Sequence, residues 1–433
     1  MNRILLIVVF VCMGSMMDAQ VLTEGDYNDS IIFTAACDTD SVAAIRWEDL
    51  LRSRLDSIVR EVEYKDYYTG ICVYDLEDTV LLYGYNQQKR MRPASNEKVL
   101  TAVTALDILG ADHLYTTKVY TTGGIVADSL GHRVLEGNVY VVGDFDPKLE
   151  RADVSRMAEA IKATGIDSIS GSILADISMK DTLYLGNGWC WDDSQPFLIP
   201  LSLGGSSYTC ENYRINRYNP SLDFVQLLKD DLTANGIGVS GSAGIGEYVP
   251  DEFTSRIMMV THSVSDILGR MMKNSDNLYA ESMFYQLAAD QKKGIGWKDC
   301  AAEVEAMVRR AAGTTEGVDV ADGSGLSLYN YVTPAVLTAV LRYAYYNKNI
   351  FSALYPALPI AGVDGTISGR MSESKAYANV HAKTGTVTGV STLAGYVRAS
   401  NGHMLAFAIM NNGVESSSIG RAVQDKVCAV LAE

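Results

Sequence analysis

The sequence predicts an α/β chain of the α+β kind, an antiparallel sheet flanked by helices and split by an inserted α+β domain. Three observations predict it. The 433 residues exceed the roughly 250–300 at which one hydrophobic core stops growing, so at least two domains are expected. Helical and antiparallel-strand patterns occupy both ends of the chain, over 20–110 and 259–433. Between them, over 111–258, short β-like runs alternate with glycine-rich turns and helical patches, which reads as the insert.

The elements follow in order. Arg3, an apolar run from Ile4 to Met13 and a small-residue stretch ending at Ala19 have the layout of a secretory signal peptide over 1–19. That run is too short to span a bilayer, and no later stretch reaches 18 apolar residues, so the mature chain is expected to carry no transmembrane segment. Residues 42–62 show helical spacing, and 69–76 with 80–85 read as a hairpin around an acidic turn. Over 89–110, Pro93 precedes a stripe of Val99, Leu100, Val103, Leu106 and Leu109, and Gly110 stops the helix. In the insert, 135–143, 171–176 and 213–219 read as strands, and 154–165 and 224–236 as helices. Helical patterns return over 263–290, 301–313 and 333–346. The chain ends in a strand (380–389), a hairpin (391–413) and a helix (419–433).

Composition excludes several functions. Apolar and charged fractions of 48% and 20% are those of a globular protein with ample core. A net charge of −16 argues against nucleic acid, which needs a basic surface. Cys37, Cys72, Cys190, Cys210, Cys300 and Cys428 are widely spaced without a CxxC, against zinc and redox motifs. Cys190 and Cys210 are the best candidates for pairing in an oxidising compartment. The five histidines show no metal-ligand spacing, so no metal and no organic cofactor is expected. GIGVSG (236–241) matches a nucleotide-binding glycine pattern but opens no helix.

Three short motifs can carry chemistry together. Ser95 and Lys98 stand three apart at a helix start, which puts hydroxyl and amine on one face. A serine is a weak nucleophile until a base takes its proton, and a partly buried lysine can do so. Taken alone, the pair favours the plainer reading, with Ser95 a helix cap. Ser275-Asp276-Asn277 forms a polar break between helices, and a hydroxyl and an amide two apart can meet one ligand. Lys383-Thr384-Gly385-Thr386 lies in a strand, where a lysine with two hydroxyls suits a carboxylate and the glycine admits another backbone.

The order S-x-x-K, S-D-N, K-T-G is the motif set of class A β-lactamases and penicillin-binding proteins. With 137–149, 187–195, 322–334 and 381–397, the chain resembles the D-alanyl-D-alanine carboxypeptidase/endopeptidase family, the low-molecular-mass class C penicillin-binding proteins of peptidase family S13. A whole domain's length separates Ser95 from Ser275, as in that family, but the insert is shorter than the usual one with its nested subdomain. The resemblance implies a serine β-lactamase/transpeptidase-like fold, a periplasmic location, and peptidoglycan stem peptides and β-lactam antibiotics as ligands. It implies Ser95 as nucleophile, Lys98 as base, Ser275 and Asn277 in proton relay and positioning, and Lys383, Thr384 and Thr386 at the substrate carboxylate. The backbone N–H groups of Ser95 and Thr386 would form the oxyanion hole. Asp192 or Asp193 is a candidate for a cationic group of the stem peptide, and His381 for the site edge or the strand surface. A serine β-lactamase, or a non-catalytic peptidoglycan-binding protein of the same fold, are the alternatives.

Overall fold

Apolar residues at helical spacing form α1 (Trp47–Val62), which buries Leu51, Leu55, Ile58 and Val59. The computed structural model describes residues 46–190, 193, 195–204, 219–289 and 293–433. β1 (Tyr68–Asp75) and β2 (Val80–Tyr85) pair as the expected antiparallel hairpin. A 3₁₀ turn, Ala94–Asn96, leads into α2 (Glu97–Ile108). Sequence spacing gives α2 one apolar stripe, yet every side chain from Glu97 to Leu106 is buried. Its two threonines are accommodated by hydrogen bonds: the Thr101 hydroxyl donates to the Gly323 carbonyl at 2.8 Å and Thr104 to that of Leu100 at 2.7 Å.

From Leu114 the strands belong to two other sheets. β3 (Leu114–Thr121), β4 (Gly124–Ala127), β5 (Arg133–Glu136) and β6 (Val139–Val142) are followed by α3 (Arg151–Ala163). β7 (Ser168–Ile169) and β8 (Ile173–Asp176) precede α4 (Pro220–Ala234), and β9 (Gly238–Val239), β10 (Ala243–Ile245) and β11 (Ser255–Ser263) complete the set. One sheet has the order β10-β8-β6-β3-β11, with β8 parallel to both neighbours; the other has the order β4-β5-β7-β9. Val154, Met157, Ile161, Phe224 and Leu228 from the two helices share a core with Val119, Val141 and Ile173. Of the strand expected over 213–219 only Asn219 lies within the described residues, where it caps α4 by accepting from the Ser221 amide.

Ser263 ends β11 and caps α5 (Val264–Lys273) in a reciprocal box with Asp266. α6 (Asn277–Gln286), α7 (Trp297–Ala312), α8 (Pro334–Tyr346) and α9 (Lys348–Ala357) follow, and with α5 they surround α2. Then come β12 (His381–Val387), β13 (Val390–Arg398), β14 (Met404–Asn412) and α10 (Ser417–Leu431). These strands join the first two in an all-antiparallel sheet of order β12-β13-β14-β1-β2. Both faces are covered, and the period of two sorts β14 between them. Leu405, Phe407 and Ile409 face the core shared with α1 and α10, while Ala406, Ala408 and Met410 face the core of α2 and α8. Cys72, Cys300 and Cys428 are buried free thiols, and the Cys190–Cys210 pairing falls on a residue outside those described. Among the described residues no helix is long and apolar enough to cross a membrane.

Phe407 is fully buried at the middle of this sheet. Phe407→Ala is expected to destabilise the protein by about 3–5 kcal/mol through lost burial and the cavity left behind. Denaturant unfolding, read by circular dichroism, measures it.

Candidate active site

The 3₁₀ turn before α2 presents Ser95. Ala94 holds a left-handed backbone at φ +47°, a conformation that costs a non-glycine residue about 1–3 kcal/mol. Ser95 is half-buried and makes no cap for α2; its hydroxyl instead meets the Lys98 amine at 3.0 Å. Lys98 is fully buried. It also donates to the Asn277 side-chain oxygen and to the Ser324 carbonyl, both at 2.7 Å. Burial lowers this amine to about 8, against the opposing pull of Asp322, Glu281, Asp276 and Glu97.

The partners decide where the lone pair of the neutral amine points. Asn277 Oδ1 and the Ser324 carbonyl can only accept. A neutral amine has two N–H bonds, and these two oxygens take both. The remaining lone pair is then directed at the Ser95 hydroxyl, the third neighbour and the one that can donate. This arrangement can remove the serine proton as the oxygen attacks a carbonyl.

The second motif enters from the α5–α6 junction. Ser275 has φ +59°, and Asp276 caps α6 by accepting from the Leu278 and Tyr279 amides, with Arg270 paired to it at 2.8 Å. The third comes from β12. Lys383 is fully buried and donates to the Ser275 hydroxyl and to the Thr384 carbonyl, both at 2.8 Å. Burial first, and then the nearby Lys98 charge, push the Lys383 amine well below its ordinary value. Thr384 lies 2.7 Å from the Thr366 hydroxyl, and Thr386 is exposed. Gly385 lies against the Ser95 turn: a Cβ there would come within 2.5 Å of the Pro93 carbonyl and 2.2 Å of the Thr392 hydroxyl. The structure thus gathers two hydrogen-bonded groups, Ser95–Lys98–Asn277 and Ser275–Lys383, around one cavity, with Thr384 and Thr386 along its edge.

Residues the motifs do not include hold this group together. Buried Asp322 accepts from the Gly325 and Ser327 amides, the Asn330 amide group and the Trp189 indole, which shapes the loop that offers the Ser324 carbonyl. Glu281 accepts from the Ser324 and Gly323 amides at 2.9 and 3.3 Å, and burial, with Asp322 nearby, raises its carboxyl. Glu281 stands four residues after Asn277 on α6, so helical spacing could have found it. Nothing in a sequence marks a backbone carbonyl such as that of Ser324. Gly325, at φ +79°, closes the loop on the Ser95 turn: a Cβ there would lie 1.9 Å from the Ala94 carbonyl.

A cavity of about 300 Å³ opens beside Ser95, lined by Ser275, Thr384, Thr386 and Arg421 among others. Three larger cavities, of about 470, 550 and 570 Å³, contain neither Ser95 nor either motif lysine, so size alone does not mark this site. Asp193 closes a turn with Cys190, accepting from its amide at 3.1 Å, and Asp192 is outside the described residues. His381 stacks on Tyr355 with ring centroids 4.1 Å apart, and burial lowers its pKa.

A helix-flanked antiparallel sheet with a serine and two buried lysines at one edge is the architecture of the serine β-lactamase/transpeptidase-like class. The D-Ala-D-Ala carboxypeptidase 3 (S13) family matches residues 51–202 and 200–433, and the chain belongs to that family. It is 28% identical to a D-alanyl-D-alanine carboxypeptidase of Actinomadura sp. (strain R39) over 88% of this chain and 84% of the relative. It is 26% identical to the D-alanyl-D-alanine carboxypeptidase DacB of Haemophilus influenzae, over 81% and 86% of the two chains. The crystal structure of penicillin binding protein 4 (dacB) from Haemophilus influenzae shares the fold. Its TM-score is 0.74 at 23% identity, covering 87% of this chain and 97% of that one.

Gly385→Ala tests the contact between β12 and the Ser95 turn, because a methyl group there meets backbone as well as a hydroxyl. The expected outcome is a loss of about 1–3 kcal/mol from overpacking. Thermal denaturation reads it as a lowered melting temperature, and an unchanged one removes the contact from the account.

Proposed function

We propose that the chain is a serine-type D-Ala-D-Ala carboxypeptidase/endopeptidase that acts on peptidoglycan stem peptides through an acyl-enzyme on Ser95. The observation that carries the reading is the Lys98 amine, 3.0 Å from the Ser95 hydroxyl, with its two other contacts to obligate acceptors. Membership of the carboxypeptidase family supports the reaction class. β-Lactams would acylate the same serine. A structural relative from Haemophilus influenzae is described in complex with a β-lactam, which agrees with that expectation.

Ser95 Oγ attacks the carbonyl that precedes the terminal D-alanine, and Lys98 takes the hydroxyl proton. The backbone N–H groups of Ser95 and Thr386 stabilise the oxyanion, where each such donor is worth about 10²–10³ in rate. As the C–N bond breaks, the departing amine needs a proton. Ser275, hydrogen-bonded to Lys383, relays to it the proton that Lys98 took, which restores the neutral Lys98 amine. Lys383 and the hydroxyls of Thr384 and Thr386 hold the carboxylate of the departing residue. Water then attacks the ester, frees Ser95 and releases the shortened peptide. Asn277 fixes the Lys98 amine.

The reaction belongs outside the cytoplasm. Residues 1–19 serve as the signal peptide and the periplasm is the location, supported by the charge and apolar layout of that stretch. Residues 111–258 act as a domain inserted between 20–110 and 259–433, supported by their separate sheets and core.

Two experiments test this. Fluorescent penicillin is expected to label the wild type and not Ser95→Ala, and only the wild type should release D-alanine from a D-Ala-D-Ala pentapeptide. Equal labelling of both proteins removes Ser95 from the mechanism. For Lys98, the neutral amine is the reactive form, and its fraction grows as pH rises through about 8. Acylation should therefore climb about tenfold per pH unit below that value and level off above it. A stopped-flow pH profile measures the limb, and its persistence in Lys98→Met would assign it elsewhere.

A further inference from the structure

We infer that Arg421, on the C-terminal helix α10, is a specificity-determining residue that reads a free carboxylate on the residue that departs. The inference rests on the functional reading above and adds a residue that none of the three motifs contains. Arg421 lines the same cavity as Ser95, Thr384 and Thr386, more than 300 positions after the nucleophile. Among the described residues no carboxylate lines that cavity. A second guanidinium there, Arg370, is already engaged. It donates to Asp425 from Nε at 3.0 Å and from Nη2 at 2.7 Å, and to the Gln424 side chain at 3.0 Å. Arg421 is exposed and makes no ion pair among the described residues, so its charge is left for a ligand.

The helix that carries it is held firmly. Gly420 lies so close to β13 that a Cβ would stand 2.6 Å from Ser391 Cβ. One turn on, the Gln424 amide donates to the Ser391 hydroxyl at 3.0 Å and reaches Asn411 Oδ1 at 3.4 Å. The Arg421 carbonyl also accepts from Arg370 at 3.4 Å. Arg421 thus starts from a fixed backbone at the rim beyond the Thr384 and Thr386 hydroxyls. A guanidinium matches a carboxylate with two parallel hydrogen bonds, and the pair is stronger in a half-enclosed cavity than in open water. The substrate class that fits is a peptide whose departing residue keeps its α-carboxylate free, in contrast to one amidated there.

The test compares an acylated L-Lys-D-Ala-D-Ala peptide with its C-terminal carboxamide, using wild type, Arg421→Ala and Arg421→Lys. With the free acid, Arg421→Ala should raise KM roughly ten- to a hundredfold at nearly unchanged kcat, and Arg421→Lys should recover part of the loss. With the carboxamide the KM of Arg421→Ala should stay within about twofold of wild type. An equal effect on both peptides, or none on either, overturns the inference. Titration calorimetry of the same two peptides against Ser95→Ala, with and without Arg421→Ala, reads the preference without turnover. Loss of the free-acid preference on removing Arg421 supports the inference, and its retention overturns it. Wild type that turns over neither peptide counts against the functional reading instead, and the calorimetry still decides Arg421.

Discussion

Two lysine amines, Lys98 and Lys383, are taken fully out of water within one site, and the neighbouring structure is arranged around that burial. The effective penalty for an ion removed from water is several kcal/mol, so each amine must find acceptors or give up its proton. Lys98 does some of both. It has two obligate acceptors, and burial brings its deprotonation into the range of physiological pH. The acceptors require their own supports: Asp322 with four donors to shape the loop of Ser324, and Asp276 to set the start of α6 that carries Asn277. Replacing any of these pieces leaves a buried polar group behind, which makes the site one coupled unit.

Close approach is the second constraint. The Ser95 turn is pressed between β12 and the loop after α7, and both contacts come at a glycine, Gly385 on one side and Gly325 on the other. The left-handed Ala94 and Ser275 sit at the same junctions. Such conformations persist only where surrounding packing overrules them. Here the packing is the all-round burial of α2 on one side and the half-buried strand β12 on the other.

Much of this was legible before the coordinates, for identifiable reasons. α1, the β1–β2 hairpin and the helices on either side of Ser275 follow from periodicity alone. The three motifs stand out because each needs two or more side chains at fixed spacing. The all-round burial of α2 was hidden, since Lys98 and Thr101 look like part of a solvated face until Gly323, Asn277 and Ser324 are placed against them. The Ser324 carbonyl has no sequence signature. Arg421 gains its meaning only from the packing of α10 on β13, a contact that spacing within either element cannot disclose. The parallel pairings of β8 have no local signature, because the strands are short and their partners lie far apart in the chain.

The central sheet also governs when the protein can come into being. β1, near the start, pairs with β14, near the end, from Tyr68 opposite Asn412 to Asp75 opposite Leu405. Pairing across so much intervening chain is entropically late, and topologies dominated by such pairs fold slowly. β12, which carries Lys383, reaches this sheet only through β13 and β14. A chain still being synthesised therefore holds Ser95 without the second lysine beside Ser275 until the last strand has emerged. The order of manufacture itself leaves the Ser95 site without its second lysine in incomplete copies.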